Sequence, residues 1–465
     1  MRRLAMAFGL ALFATVLVVD AASAVPSFTR QTGLTCNQCH ITFSNVPDFT
    51  FTGKKFRLNG YRTPYVAEKI ESGEEGALSG NRMLLGIQNI FSLRFRNSFL
   101  AQSKPASDVA GPEAEAGPVT SVPGTSISFF YVGAIGEHIG IWNEFYFVDA
   151  GNQSSSASPF KSYTTFDEYD VKFVMNPGYD NIVGVAVSTQ SLNSLAGFSP
   201  FSSGTPNHMQ RGGLNNAHTA YVNLAAYAMI KDRVLVILGA QPGEDNLNFS
   251  DGMNYQAILG YAIGNTDHNQ LWYVGQIKAG NDAIPIVSSP SINADGLISY
   301  SSVTGIAGTR GNRPGTTTPF GAYLPSEQGD FVRTLQEVHY GFIDKGPHSF
   351  TTAAGFSYSR ETYEDGAEVK HAGVGARARY FYDRTWGVEY GISKAVTYDF
   401  KDRNGVDHTI SNPLNWGSVT LFYRPAMNFS ISLGLALNTS SGTRMDDTRE
   451  FRKGWSWNIG YDFMF

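Results

Sequence analysis

The chain has 465 residues, a formal net charge of −5 at pH 7, 49 glycines, 13% aromatic residues and only 16% charged residues. This mild acidity argues against a nucleic-acid partner, because no basic stripe is present to neutralise phosphates. After residue 80 there is no run of eighteen apolar residues and no linker, which argues against helical membrane spans and against a soluble multidomain protein.

The N-terminus predicts a secretory signal peptide over residues 1–24. Residues 2–3 are both arginine, an apolar stretch covers 4–19, and residues 22–24 read Ala-Ser-Ala, a small-residue cleavage site. The alternative is an uncleaved membrane anchor, but Asp20 ends the apolar run before a full span of about twenty residues. We therefore expect export of the chain with cleavage after Ala24.

The two cysteines of the chain lie three residues apart in the sequence CNQCH. A disulfide between Cys36 and Cys39 would close almost no loop. A thioredoxin-like redox pair lacks its βαβ context, and a zinc site lacks a second pair of ligands. The spacing Cys-x-x-Cys-His is that of covalent c-type haem attachment. We predict that residues 25–80 form a monohaem cytochrome c segment, in which Cys36 and Cys39 hold the haem and His40 is the proximal iron ligand.

Residues 81–465 predict an all-β fold, an antiparallel transmembrane β-barrel of about sixteen strands. Apolar and polar side chains alternate in 91–99, 169–175 and 455–465, as they do in strands that face lipid on one side and a lumen on the other. The predicted strands are 82–101, 125–136, 138–150, 163–175, 181–192, 218–229, 233–241, 253–264, 270–280, 331–343, 348–360, 368–382, 386–399, 414–424, 428–439 and 452–465.

The connections between these strands alternate between short and long. Short periplasmic turns and long outer loops are typical of outer-membrane barrels, so we expect the bacterial outer membrane and its lipid as the environment. A barrel of sixteen strands is wide enough for an aqueous channel. The segment 25–80 would then lie either inside the lumen as a plug or below the barrel in the periplasm. We favour the plug, because a haem inside the barrel shortens the route of an electron across the membrane.

The sequences PSFTRQTGLTCNQCHITF and GKKFRLNGY, within residues 26–61, resemble the N-terminal signature of a known family. That family is the fused outer-membrane cytochrome–porins of iron-oxidising bacteria. The resemblance implies that one c-type haem oxidises extracellular Fe(II), one electron at a time, and passes the electrons to a periplasmic c-type cytochrome. It therefore implies an activity similar to that of an iron:cytochrome c oxidoreductase.

A second axial ligand would have to come from the barrel, because residues 25–80 contain no further histidine and no methionine. Strand alternation places His339 and His371 on the lumen side, and we name them as candidate distal ligands. The same alternation turns Arg333, Arg377 and Arg379 inward, where they would bind propionates or other anions. For Fe(II), which favours oxygen and nitrogen ligands, the outer loops offer three acidic pairs, namely Glu244-Asp245, Glu364-Asp365 and Asp446-Asp447.

Two other functions remain open on the sequence. One is an electron conduit of the same architecture for a different extracellular donor or acceptor, such as a mineral surface, an electrode or a sulfur compound. The other is a porin in which the haem is only a structural plug or a sensor. Reduction of the haem by external Fe(II) would distinguish the predicted function from the first alternative, and open-channel conductance would favour the second.

Overall fold

A computed structural model gives the architecture of the chain. The predicted signal peptide lies outside the residues that the structure describes, as do 64–90 and most of the long connections. The described residues are 26–42, 48–63, 91–103, 118–135, 137–149, 165–175, 181–198, 218–242, 253–264, 268–281, 290–292, 298–300, 330–362, 368–401, 405, 407–409, 415–426, 428–438, 442–443, 450–451 and 454–464.

Most of the described chain is β-strand. The strands are β1 (Phe91–Ser103), β2 (Pro118–Ile135), β3 (Ile139–Asp149), β4 (Thr165–Val174), β5 (Asn181–Gln190), β6 (His218–Ile230), β7 (Val234–Pro242), β8 (Met253–Ile263), β9 (Asn269–Asn281), β10 (Pro290–Ile292), β11 (Ile298–Tyr300), β12 (Asp330–Lys345), β13 (His348–Thr362), β14 (Glu368–Tyr382), β15 (Trp386–Lys401), β16 (Asp407–Thr409), β17 (Asn415–Ala426), β18 (Phe429–Asn438), β19 (Gly442–Thr443), β20 (Glu450–Phe451) and β21 (Gly454–Met464).

Sixteen of these strands close into one antiparallel barrel, while β10, β11, β16, β19 and β20 are short additions at its outer loops. Each barrel strand pairs with the next barrel strand along the chain, and β9 pairs with β12 across the longest connection. The sheet closes because β1 pairs with β2 on one side and with the last strand, β21, on the other. Closure leaves no unpaired edge, which is a requirement for a sheet that crosses lipid.

The predicted barrel of sixteen strands is confirmed, and each predicted span overlaps one barrel strand. The largest difference within the described residues is in β2, which begins at Pro118 rather than at residue 125. Pro123 and Gly124, directly before the predicted start, disfavour a regular strand. The structure accommodates them through a bulge, seen as a shift of register opposite Ser98 and Leu100 of β1.

The two faces of the barrel wall differ in polarity as the alternation predicted. In β4, Val171 and Phe173 are exposed on the outside, whereas Asp170 and Lys172, which alternate with them, are completely buried. The last strand likewise turns Trp455 outward. An apolar exterior over a polar interior is the pattern of a barrel that faces lipid.

Within the described residues, four short helices accompany the barrel: α1 (Pro26–Thr32), α2 (Cys36–Cys39), α3 (Phe51–Leu58) and α4 (Leu192–Leu195). Among the residues that the structure describes, no helix is long and apolar enough to cross a membrane. The helix α4 follows β5 and has Leu192 and Leu195 completely buried. Residues 192–198 therefore fold back into the barrel, which the sequence did not predict.

The segment 26–63, which we call the plug, lies inside the lumen. The backbone N–H of Ser27 donates to Ser92 Oγ on the inner face of β1, at 3.1 Å. At the other end of the plug, Arg62 donates to the carbonyl oxygens of Ile135, at 3.3 Å, and Ile139, at 2.6 Å. These two carbonyls flank the short connection between β2 and β3. The plug therefore fills the end of the barrel at which the short connections lie.

Candidate functional site

The cysteines of the CNQCH motif lie one helical turn apart on α2. The backbone N–H of Thr35 donates to Gln38 Oε1 at 2.8 Å, which fixes the start of this short helix. The backbone N–H of His40 donates to the carbonyl oxygen of Cys36 at 2.8 Å. Cys36 and Cys39 are not joined in a disulfide. Two thiols and one imidazole thus project from a single compact turn.

An isolated antiparallel β-bridge supports this turn. His40 pairs with Phe49 in an antiparallel bridge, and their ring centroids lie 4.8 Å apart. The N–H of Ile41 donates to the carbonyl oxygen of Asp48 at 2.8 Å, and the N–H of Thr50 donates to that of Cys39 at 2.9 Å. The imidazole of His40 is therefore held against the ring of Phe49.

The environment of His40 keeps its imidazole neutral. Burial lowers the pKa of His40 to about 3, and the guanidinium charges of Arg424 and Arg57 act in the same direction, against an opposing contribution from Asp48. A neutral imidazole has the lone pair that a metal ligand needs. The donor set of α2 and His40 therefore fits a c-type haem: two unbridged thiols for thioether bonds and one neutral imidazole for the iron.

The helix α3 packs directly on the cysteine turn. Its N-cap is Thr50, whose Oγ1 accepts from the N–H of Gly53 at 3.0 Å. A Cβ atom at position 53 would lie 2.2 Å from the carbonyl oxygen of Cys39. Only glycine allows this approach, so the GKKF sequence is adapted to its contact with the motif.

Asp48 anchors the plug to the barrel wall. Its Oδ1 accepts from Arg377 Nη2 at 2.6 Å and its Oδ2 from Arg379 Nη1 at 3.1 Å, both on β14. The hydroxyl of Thr42 donates to Oδ2 at 2.8 Å, and the hydroxyl of Thr351 donates to the same atom. Burial alone would raise the pKa of Asp48, but the two guanidinium groups and the two hydroxyls hold it well below its usual range. Arg377 and Arg379, predicted to bind propionates or anions, thus bind a carboxylate of the plug itself.

A second anchor lies at the C-terminal end of the plug. Tyr61 has a positive φ of 62° and a completely buried ring, and its hydroxyl donates to Asp170 Oδ2 on β4. Lys172 Nζ lies 3.0 Å from the same hydroxyl and pairs with Asp170. Phe28 of α1 stacks on Tyr61 at a centroid distance of 5.3 Å. This cluster ties both ends of the plug to one wall of the barrel.

Lys54 is buried at the junction of the plug and the wall. Its Nζ donates to the carbonyl oxygen of Phe49 at 2.8 Å and to Gln270 Oε1 at 3.3 Å, and lies 5.2 Å from the ring centroid of Phe198. Burial lowers the pKa of Lys54 to about 7, with Asp48 opposing this shift and Arg377 adding to it.

One of the two candidate distal ligands lies close to this junction. His339 points into the lumen, as predicted, and lines a small cavity together with Phe49, Lys54 and Trp272. Its Nε2 lies 2.6 Å from Glu337 Oε2. The cavity of about 20 Å³ has room for about one water molecule, so it is not a space for haem. A distal role for His339 stays a prediction.

The structure describes only some of the remaining candidate residues. His371 lies on β14, opposite Ser359 and Tyr398, and its distal role also stays a prediction. Arg333 is buried on the inner face, as predicted. The three acidic pairs of the outer loops lie outside the described residues. Within the described part of the chain, no group of three or more His, Cys, Asp or Glu side chains could hold a metal ion.

Sequence reasoning missed the two residues of the plug that bind the wall most firmly. Asp48 and Tyr61 carry no motif of their own, and their partners are 329 and 109 residues away. The usable signal was on the barrel side, where alternation turned Asp170, Arg377 and Arg379 inward.

No protein-family model matches the chain, and no curated protein matches it. Solved structures with a similar fold include in-vitro folded OmpT, an outer membrane protein of Vibrio cholerae, at TM-score 0.49 and 10% identity over 81% of this chain and 96% of that one. The outer membrane channel DcaP of Acinetobacter baumannii gives TM-score 0.45 and 10% identity over 81% and 96%. Salmonella typhi OmpF in complex with daunomycin gives 0.46 and 9% over 81% and 97%. These likenesses concern the fold alone.

Proposed function

We propose that this chain is an electron conduit of the bacterial outer membrane. One c-type haem, held by Cys36, Cys39 and His40, would oxidise Fe(II) outside the cell and pass the electrons to a periplasmic c-type cytochrome. The observation that carries the proposal is the position of the CNQCH turn, which is packed inside the lumen of a closed barrel. A redox centre at that position lies between the two sides of the membrane.

The plug supplies what a fixed redox centre requires. Phe49 backs the ring of His40, and the contact of Gly53 with Cys39 holds the turn against α3. Asp48 and Tyr61 fasten the plug to opposite parts of the barrel wall, on β14 and on β4. When bound, haem would supply one-electron transfer at a potential set by its axial ligands and the local dielectric. No nucleophile and no acid–base pair is needed for that reaction.

The choice of Fe(II) as the donor rests on the resemblance of residues 26–61 to the fused cytochrome–porins of iron-oxidising bacteria. It also agrees with the chemistry of the product, because Fe(III) is poorly soluble near neutral pH and is best formed outside the cell. With the plug at the end of the short connections, the usual orientation of outer-membrane barrels puts the plug near the periplasm. A periplasmic cytochrome would then receive electrons at that mouth.

The test is anaerobic visible spectroscopy of the intact protein in outer-membrane vesicles, before and after Fe(II) is added. We expect a reduced c-type α-band to appear and to be reversed by an oxidised periplasmic cytochrome. The variant with Cys36→Ser and Cys39→Ser should lack the band altogether. A haem that dithionite reduces but Fe(II) does not would exclude iron as the donor and leave a conduit for another partner. Conductance through an open channel of the haem-loaded protein would instead favour a porin with a structural haem.

A further inference from the structure

A row of charged side chains crosses the inner wall where the two ends of the barrel sheet meet. Arg94 of β1 forms an ion pair with Asp462 of β21, with Nε of Arg94 at 2.9 Å from Oδ1. Arg96 lies on the same face of β1, with its Nε 3.9 Å from Asp462 Oδ2. These side chains point into the lumen, because Ser92, two residues before Arg94, contacts the plug.

The row continues to β17. On the other side of Asp462, the register pairs that residue with Ser430 of β18, and Tyr423 of β17 pairs with Ile431. Arg424 therefore follows Ser430 in the row, and it is buried on the inner face of β17. We call Arg94, Arg96, Arg424 and Asp462 the arginine row. It holds three guanidinium groups and one carboxylate.

Both ends of the arginine row adjoin the plug, and the Arg424 end adjoins it at Cys36. Cys36 packs in one apolar cluster with Phe381 and with Phe422, and Phe422 lies two residues before Arg424 on the same face of β17. At the other end, Ser27 contacts β1 at Ser92, two residues before Arg94. A group bonded to Cys36 and Cys39 would therefore be flanked by the row.

Where β18 and β21 meet, inward-facing side chains of the barrel wall are more exposed than those on the opposite wall. Asn458 of β21 is exposed, and its side chain lies over Gly434 on the lumen side of β18. Ser432 of β18 is half-buried. On the opposite wall the inward side chains of Asp170 and Asn223 are completely buried. Within the described residues, β18 and β21 thus offer accessible inner surface on the side of the barrel that carries the arginine row.

Haem carries two propionate groups, and carboxylates are the ligands that guanidinium groups match best. A guanidinium has five N–H donors in a planar fork, so an arginine that binds one carboxylate can still bind another. In a partly dehydrated lumen such charge-assisted hydrogen bonds are stronger than in water. The arginine row offers these guanidinium donors at one place, next to the accessible inner surface of β18 and β21.

We propose that the arginine row is the propionate-binding site of the haem, with Arg94, Arg96 and Arg424 as positioning residues. This inference rests on the proposed haem at Cys36 and Cys39. Positive charge beside the propionates keeps them ionised and raises the haem potential by opposing the additional positive charge of the ferric state. Neutralising one arginine therefore lowers the midpoint potential and shifts the titration of the propionates to higher pH.

The experiment compares the haem-loaded wild type with Arg96→Gln and Arg424→Gln, by covalent haem staining and by redox titration at several pH values. Arg360→Gln is the matched control, because Arg360 pairs with Glu368 at 3.1 Å at the outer end of β13, away from the plug. We expect equal haem content in all four proteins. The midpoint potential should fall, and its pH-dependent region should move to higher pH, only in Arg96→Gln and Arg424→Gln.

The substitution Arg424→Lys keeps the positive charge and should restore most of the potential. If Arg424→Gln does not fold, Arg96→Gln alone tests the inference. The Arg96 side chain is 36% exposed, so the folded barrel tolerates this change. Unchanged potentials and unchanged pH profiles in haem-loaded Arg96→Gln would overturn the inference. A wild type that carries no covalent haem would overturn the proposed function and this inference together, and haem staining recognises that case before any titration.

Discussion

Gly53 lies so close to Cys39 that a Cβ atom at position 53 would stand 2.2 Å from the carbonyl oxygen of Cys39. The substitution Gly53→Ala must therefore push α3 and the cysteine turn apart. We expect Gly53→Ala to reduce the covalent haem content several-fold, measured by haem staining per unit of folded barrel. The control is Gly417→Ala, whose Cβ would come no closer than 4.0 Å to any neighbour. Equal haem content in both variants would contradict the tight packing of the motif on α3.

Asp48 is expected to be the strongest single anchor of the plug. The substitution Asp48→Asn leaves Arg377 and Arg379 buried without their shared carboxylate, a change that typically costs about 3–5 kcal/mol. Hydrogen exchange of the amides of α3 should become faster by two or more orders of magnitude, since local opening becomes easier. Asp383→Asn is the control, because Asp383 is exposed and its φ of 48° suits asparagine. Similar exchange in Asp48→Asn and the wild type would show that the plug is held elsewhere.

The anchor at Asp48 also predicts a dependence on pH. The folded protein holds the pKa of Asp48 well below its usual range, whereas the unfolded chain takes up a proton near pH 4. The stabilisation by Asp48 is therefore complete above about pH 4 and is lost as the pH falls further. Exchange of the α3 amides in the wild type should accelerate below about pH 4, after correction for the intrinsic rate. This acceleration should be smaller in Asp48→Asn.

Lys54 predicts a second rise of stability with pH, in a higher pH range than that of Asp48. Burial lowers its pKa to about 7 in the folded protein, while an unfolded lysine keeps its proton to about pH 10. Between these values the unfolded chain binds more protons, so the free energy of unfolding of the plug rises with pH. Urea unfolding followed by tryptophan fluorescence at pH 6, 8 and 10 should show a rise of a few kcal/mol in the wild type. The rise should be absent in Lys54→Met, and a persisting rise would assign the titration to another group.

Tyr61 provides a test of the second anchor. Tyr61→Phe removes the hydroxyl that donates to Asp170 and leaves the stack on Phe28 unchanged. Loss of a buried hydrogen bond to a charged group typically costs about 1.5–3 kcal/mol. Proteolysis of the plug under native conditions should therefore become at least tenfold faster. Tyr390→Phe, on the lipid-facing side of β15, should leave the rate unchanged. A wild-type rate in Tyr61→Phe would exclude this hydrogen bond as an anchor.

The barrel could be predicted from the sequence because its signal is local. A side-chain period of two separates Phe173, which faces outward, from Lys172, which faces the lumen, without any knowledge of their neighbours. The same rule placed His339 correctly on the inner side. Bulges limited the prediction of strand ends. Pro123 and Gly124 interrupt the alternating pattern in β2, although the strand begins at Pro118.

The contacts of the plug could not be predicted because they are not local. Nothing in the sequence around Asp48 indicates that Arg377 will meet it. From the sequence, Lys54, Lys55 and Arg57 could equally pair with haem propionates or form a solvated cluster, and the structure buries all three. Lys55 pairs with Asp232 in the turn after β6, at 3.0 Å, and Arg57 binds Gln190 of β5, so each cation finds its partner at a different part of the barrel. Only the closed barrel brings these partners around one small segment.

The separation of Asp48 from its arginines bears on the order in which the protein is made. Arg377 and Arg379 follow Asp48 by 329 and 331 residues, so this anchor can form only after most of the barrel strands have been made. Until β13 and β14 join the growing sheet, Asp48 lacks the partners that bind it to the wall. Under the proposed function, the enzymes that form the thioether bonds would need access to Cys36, which the finished wall buries against Phe381 and Phe422. Attachment of the proposed haem would then precede closure of the barrel around the plug.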